Sequence, residues 1–158
     1  MLTLTKLITS SHIVCRSDIA SKKRVLEQFS TMLENAEHKP DSDLIFNGLL
    51  QREKIGSTAI GQGVAIPHAR IESLQKPTVG VITLAKPIEY DAPDHKPVDI
   101  FFALLVPSDA PEKHLELLRQ IAKFLSEPDT ITKIRHSKTK KALYNTLLMG
   151  TVMHEEND

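Results

Sequence analysis

The stretch Val98-Asp99-Ile100-Phe101-Phe102-Ala103-Leu104-Leu105-Val106-Pro107 is apolar on both faces for most of its length. A half-buried strand alternates apolar and polar residues, so a run without alternation marks a central strand with helices over both faces. Upstream, Val79 to Leu84 reads as another strand, and Ile55 to Pro67 as short β-like pieces separated by Gly56, Gly61 and Gly63. Earlier still, Val25, Leu26, Phe29, Met32 and Leu33 recur at helical spacing from a start at Ser21; the pattern fades at Asn35, before the loop His38-Lys39-Pro40. Asp41 or Ser42 caps a second helix, with Leu44, Ile45, Phe46 and Leu49 inward, that ends near Arg52 or Glu53. Downstream of the loop Pro107 to Pro111, Leu115, Leu118, Ile121, Ala122 and Leu125 trace a long helix, and Ile131 to Ile134 and Ala142 to Leu148 two shorter ones. Hairpin-like connections around Gly80 to Asp91 and through Asp91 to His95 argue against an all-parallel sheet. The expected fold is α/β, a mixed sheet with helices on both sides.

At 158 residues the chain has the size of one domain, expected over residues 1–150, with a short, polar, acidic and disordered tail over 151–158. Lys plus Arg and Asp plus Glu number 20 each, and no basic run carries interleaved aromatics, so nucleic acid is not an expected partner. The longest apolar run, Ile100 to Val106, falls far short of the roughly 20 residues that span a bilayer. The N-terminus lacks a charged region followed by a hydrophobic one, which leads to the expectation of a soluble, cytoplasmic protein. Cys15 is the single cysteine and reads as a small core residue in a reducing compartment.

One segment stands out, Gly61-Gln62-Gly63-Val64-Ala65-Ile66-Pro67-His68. A glycine-loosened turn feeds a short apolar strand, and a proline stops it just before an imidazole. Two readings stay open on these residues alone: a platform that displays His68 at a strand end, or an ordinary buried strand followed by its first polar residue. Arg52 near a helix C-terminus is explained by the helix dipole, which favours a cation there. His114 falls in the first turn of a helix. Ser57 and Thr58 suit turn hydrogen bonding, and Lys86 to Lys96 a solvated connection.

Other chemistries lack their residues. Gly61-Gln62-Gly63 has no third glycine for a dinucleotide turn, and Gly56 to Gly61 is not followed by Lys-Ser/Thr. No Gly-x-Ser-x-Gly elbow is present. The histidines, at 12, 38, 68, 95, 114, 136 and 154, never fall as His-x-x-x-His, so neither metal nor cofactor is expected.

The segment from Glu53 to Ala69, with Ile60-Gly61 and Val64-Ala65-Ile66-Pro67-His68-Ala69, closely resembles the phosphorylation-site signature of enzyme IIA proteins of the bacterial phosphotransferase system, fructose-mannitol type. Arg52 to Thr58 before it, Pro97 to Pro107 after it and His114-Leu115 also resemble family blocks. The likeness covers about residues 4 to 148 and is greatest to the stand-alone nitrogen-type enzyme IIA. It implies a mixed sheet of about five strands flanked by helices, with His68 as phosphoacceptor and Arg52 and His114 beside it. It further implies a phosphoryl group received from an HPr-type histidine phosphocarrier and a regulatory role set by phosphorylation state. The alternatives are a sugar-specific enzyme IIA serving a separate enzyme IIB, and a binding module that kept the fold and lost the relay.

Overall fold

The computed structural model describes residues 4–34, 41–109 and 111–156. Its elements, in chain order, are α1 (Leu4–Leu7), β1 (Ile13–Ser17), α2 (Lys22–Met32), α3 (Ser42–Ile55), β2 (Ala59–Gly61), β3 (Val64–Ala65) and β4 (His68–Ile71). They continue with β5 (Thr78–Ile88), β6 (Val98–Pro107), α4 (Pro111–Phe124), α5 (Pro128–His136) and α6 (Lys140–Glu156).

β6 is the middle of the sheet. β5 runs antiparallel along one of its edges, and β3 and β4 run parallel along the other. The order is β1-β5-β6-β3-β2, with β1 parallel to β5 and β2 antiparallel to β3, so the sheet is mixed as expected. All seven side chains from Ile100 to Val106 are 0% exposed and alternate between two cores. Ile100, Phe102, Leu104 and Val106 pack with Leu117 and Ile121 of α4. Phe101, Ala103 and Leu105 pack with Phe29 of α2 and with Ile45 and Leu49 of α3. Each of these burials other than that of Ala103 contributes roughly 1.5–3 kcal/mol, which makes this strand the anchor of both helix layers.

The sheet has six strands where about five were expected, yet they fill five positions. Val64 pairs with Ile100 and His68 with Leu104 at the same sequence offset, so β3 and β4 occupy one position interrupted at Ile66-Pro67. Pro67 has no N–H to give, and β2 has already ended beside β3, so the interruption falls where no ladder bond is lost. His68 therefore opens a strand segment; it does not follow the end of one.

Other expectations are corrected. No hairpin occurs near Gly80, which lies inside the continuous strand β5. A Cβ there would stand 2.9 Å from Met32 Cε and 3.1 Å from Phe29 Cδ1, so the glycine admits α2 and makes no turn. On α4 the inward face is His114, Leu117, Ile121 and Phe124, while Leu115 is 53% exposed. The last helix is not short: α6 runs through Gly150 to Glu156, past the start of the expected disordered tail. Thr151 to Glu156 contains neither glycine nor proline to stop it. Strand β1 was not legible, because it is an edge strand in which only Ile13 is buried. Asn35, the loop His38-Lys39-Pro40 and the last two residues of the chain lie outside the described residues.

Helix α3 is held against β4 by a glycine. A Cβ on Gly48 would meet Ile71 Cδ1 at 2.8 Å and Ala69 Cβ at 3.3 Å. This close approach sets the height of Arg52, one turn further along, above the strand that begins with His68. Gly48→Val is expected to push α3 outward and to cost about 1–3 kcal/mol, the usual range for overpacking. Urea unfolding of the two proteins measures it.

Candidate functional site

The Gly-Gln-Gly turn works as a hairpin. Gly61, Gln62 and Gly63 have φ of 98°, 59° and 80°, a left-handed run that the two glycines adopt without strain and that Gln62 joins as a non-glycine residue. Gln62 donates its N–H to Asp94 Oδ2 at 3.0 Å, and its carbonyl accepts from Arg135 Nη2 at 3.0 Å. Arg135 also grips Asp99 of β6 through two bonds of 2.8 and 2.7 Å. The turn is thus strapped on both sides and delivers β3, Pro67 and His68 from a fixed origin.

His68 sits half-buried where β4 begins, with its Nδ1 2.8 Å from the carbonyl of Ile66. A carbonyl only accepts, so Nδ1 carries the hydrogen and, in the neutral ring, Nε2 carries the lone pair. Arg52 Nε–H donates to that Nε2 at 3.3 Å. Its Nη1 donates to the carbonyl of Gly56 at 2.8 Å, closing the C-terminus of α3. Arg52 therefore fills the helix-end role that its position suggests and also faces the imidazole; its Nη2 has no partner among the described residues. The ring of His114 stands edge-on to that of His68, with centroids 5.3 Å apart and planes at 62°.

Burial is the main influence on both histidines. It lowers the pKa of His68, with the charge of Arg52 adding to the effect, while the Ile66 hydrogen bond and the charge of Glu53 oppose it. His114 is 6% exposed, and burial, then the charges of His68, Arg70 and Arg52, push its pKa down to about 4. Its Nδ1 is buried without a partner among the described residues. Both rings are neutral at pH 7, so the cations of the site are its guanidiniums.

The three residues singled out from the sequence, His68, Arg52 and His114, come together from β4, α3 and α4. They line one depression of about 400 Å³, together with Ile55 and Arg70. The rim is partly apolar, with Ile55 83% exposed; Ile60, expected there, is 46% exposed but not among the residues that line the depression. Ala69 also lines the depression, whereas Ala65 does not and is buried in the core under α3. Ser57 makes the expected turn bond, its Oγ accepting from the Ala59 N–H at 3.2 Å, and also donates to the Tyr90 carbonyl at 2.7 Å; Thr58 Oγ1 instead donates to Glu53 Oε2 at 2.7 Å. Cys15 is partly buried, its thiol 3.4 Å from the Ser137 carbonyl. Among the described residues no helix is long and apolar enough to cross a membrane.

Two residues of the site were missed. Arg70 is exposed and has no hydrogen-bond or ion-pair partner among the described residues; the period-two rule for strands puts it on the same face as His68. Glu53 is only 6% exposed. It continues the inward stripe Ile45, Leu49, Glu53 of α3 with a carboxylate where helical periodicity calls for an apolar residue.

Comparison with known proteins places this arrangement. Residues 6–149 match the family described as "Phosphoenolpyruvate-dependent sugar phosphotransferase system, EIIA 2". A nitrogen regulatory protein of Pseudomonas aeruginosa is 42% identical over 148 residues, covering 94% of this chain and 96% of the relative. A fructose-specific EIIA component of Haloferax volcanii is 32% identical over 128 residues, 81% of this chain and 83% of the relative. The crystal structure of nitrogen regulatory protein IIA-Ntr from Neisseria meningitidis superposes with a TM-score of 0.85 at 36% identity, covering 91% of this chain and 98% of that one. With a family match over nearly its whole length and a site built where the family signature falls, the chain belongs to the EIIA 2 family of the phosphoenolpyruvate-dependent sugar phosphotransferase system, as a phosphocarrier component of that system.

Proposed function

We propose that the protein is a cytoplasmic, regulatory phosphocarrier of the nitrogen type, which accepts a phosphoryl group on His68 Nε2 from an HPr-type histidine phosphocarrier. The observation that carries this reading is the pair of bonds on one imidazole: Nδ1–H to the Ile66 carbonyl, and Arg52 Nε–H to Nε2. The first leaves a lone pair on Nε2, and the second puts a guanidinium at the atom to be phosphorylated. As the Nε2–P bond forms, the P–N bond of the donor phosphohistidine breaks and its electron pair returns to the donor ring. His68 keeps its Nδ1 hydrogen, and the positive charge that develops on its ring is stabilised by the Ile66 carbonyl. Phosphoryl transfer spreads charge over the equatorial oxygens, so alignment and cationic donors supply most of the catalysis. Arg52 supplies such a donor by turning to the phosphoryl oxygens, with Nη2 already unengaged. His114 adds a neutral N–H beside them. A phosphorylated His68 differs from the free ring by roughly two negative charges, enough to alter the binding of a regulated partner.

The regulatory branch is favoured by the higher identity to the nitrogen regulatory relative, 42% against 32% for the fructose-specific one. The second reading, transfer onward to a separate enzyme IIB, keeps the same site. Acceptance of the label by a fructose- or mannitol-type enzyme IIB at a rate comparable to loading of His68 would decide for it.

Incubation with phosphoenolpyruvate, enzyme I and HPr, followed by intact-mass measurement, is expected to add one phosphoryl group to the wild type and none to His68→Ala. Equal labelling of both would end the mechanism. Arg52→Ala is expected to slow labelling by about one to two decades, from the roughly 1.5–3 kcal/mol of a charge-assisted bond. The pH dependence follows from the neutral ring. Protonation of Nε2 removes the nucleophile, and the His68 pKa lies below 6.5. The fall in rate on acidification, at fixed donor phosphorylation, should therefore set in at lower pH than for a free imidazole, with no loss toward pH 8. Removal of the Arg52 charge should move the fall to higher pH, which a rate profile of Arg52→Ala measures.

A further inference from the structure

Burying a carboxylate is costly unless its oxygens are bonded, and α3 does so at the one place where another leucine would complete its apolar stripe. Glu53 Oε1 accepts from the Thr58 N–H at 2.9 Å. Its Oε2 accepts from Thr58 Oγ1 at 2.7 Å and from the Tyr90 hydroxyl at 3.2 Å. Lys22 Nζ lies 3.7 Å from Oε1 and 4.4 Å from the centre of the fully buried Tyr90 ring. One side chain thus ties the last turn of α3 to the approach of β2, to Tyr90 two residues beyond β5 and to the start of α2. Apolar packing is non-directional and would let that turn slide or rotate; three hydrogen bonds would not. Arg52 is the preceding residue, about 100° around the helix, so whatever fixes the azimuth of Glu53 fixes that of Arg52.

We infer that Glu53, with Thr58 and Tyr90, is a positioning latch that holds Arg52 Nε on His68 Nε2, retained at the expense of a simpler apolar core. The inference deepens the phosphoacceptor reading and rests on it. It separates Glu53 from the residues that touch the reacting atoms: the carboxylate makes no bond to His68, and its influence passes through the helix end.

The test replaces the latch by apolar groups of similar volume, in the triple variant Glu53→Leu/Thr58→Val/Tyr90→Phe. Both hydroxyl donors leave with the carboxylate, the backbone N–H of residue 58 is the one buried donor left without its acceptor, and Lys22, partly exposed, turns to water. The latch predicts a folded protein with cooperative unfolding, its midpoint at or somewhat below that of the wild type because of that one unpaired N–H. It also predicts a kcat for phosphoryl acceptance about 10- to 100-fold lower, the scale of misplacement by about an ångström. The KM for phosphorylated HPr should stay within about twofold, because the docking surface is untouched. The Arg52 Nε–H resonance, distinct in the wild type, should lose its hydrogen-bonded shift in the triple variant. Tyr90→Phe alone, which keeps the ring and removes one donor, gives the same split in smaller measure, about threefold, and serves if the triple variant does not fold. Wild-type kcat with an unchanged Arg52 resonance in a folded variant would overturn the latch. If the wild type itself takes no label on His68, the phosphoacceptor reading fails instead, and the Arg52 resonance alone decides whether the latch exists.

Discussion

The carbonyl of Ile66 takes the Nδ1 hydrogen of His68 across 2.8 Å, and nearly every chemical property of the site follows from that bond. It selects one tautomer, turns Nε2 outward as a base and holds the ring against rotation. The bond exists because the chain is interrupted between β3 and β4. Had the strand run on without Pro67, the carbonyl of Ile66 would lie in the plane of the ladder, away from a side chain two residues later. The proline that breaks the strand thus also supplies the orientation of the histidine.

Three remote parts of the sequence must agree for that ring to be useful. β6 fixes the register of β4 through Leu104 to Pro107, and its own burial on both faces makes that register costly to change. α3 reaches β4 closely because residue 48 has no side chain. α4 brings His114 over the edge of the depression in place of an apolar residue. Each element thus surrenders some ordinary packing at the one point where it meets the site: a glycine in a helix, a carboxylate and a histidine on inward faces, a proline in a strand.

Much of this was legible in the sequence. The unbroken apolar run of β6 announced a sheet covered on both sides, and the caps at Ser21 and Asp41 marked two helix starts that the structure keeps. The residues brought together were also legible, but only through the resemblance of the Gly61 to His68 segment and its flanks; taken singly, Arg52 was a helix-end charge and His114 a residue in a first turn. What stayed hidden has physical causes. Gly80 looked like a turn because glycine serves equally to let a helix approach. β1 is too exposed to show an apolar pattern. Glu53 and Arg70 carry signals only relative to a face, the inward stripe of α3 and the His68 side of β4. Those faces are defined once the neighbouring element is known.

The central claim is that His68 holds its hydrogen on Nδ1 and its lone pair on Nε2. Long-range ¹H–¹⁵N correlation spectra of the unphosphorylated protein near pH 7.5 read this directly. The account predicts a His68 Nδ1 shift of the protonated, pyrrole type and an Nε2 shift of the unprotonated, pyridine type, perturbed by the Arg52 bond. A His68 ring with the hydrogen on Nε2, or one averaging freely between the two tautomers, would contradict it.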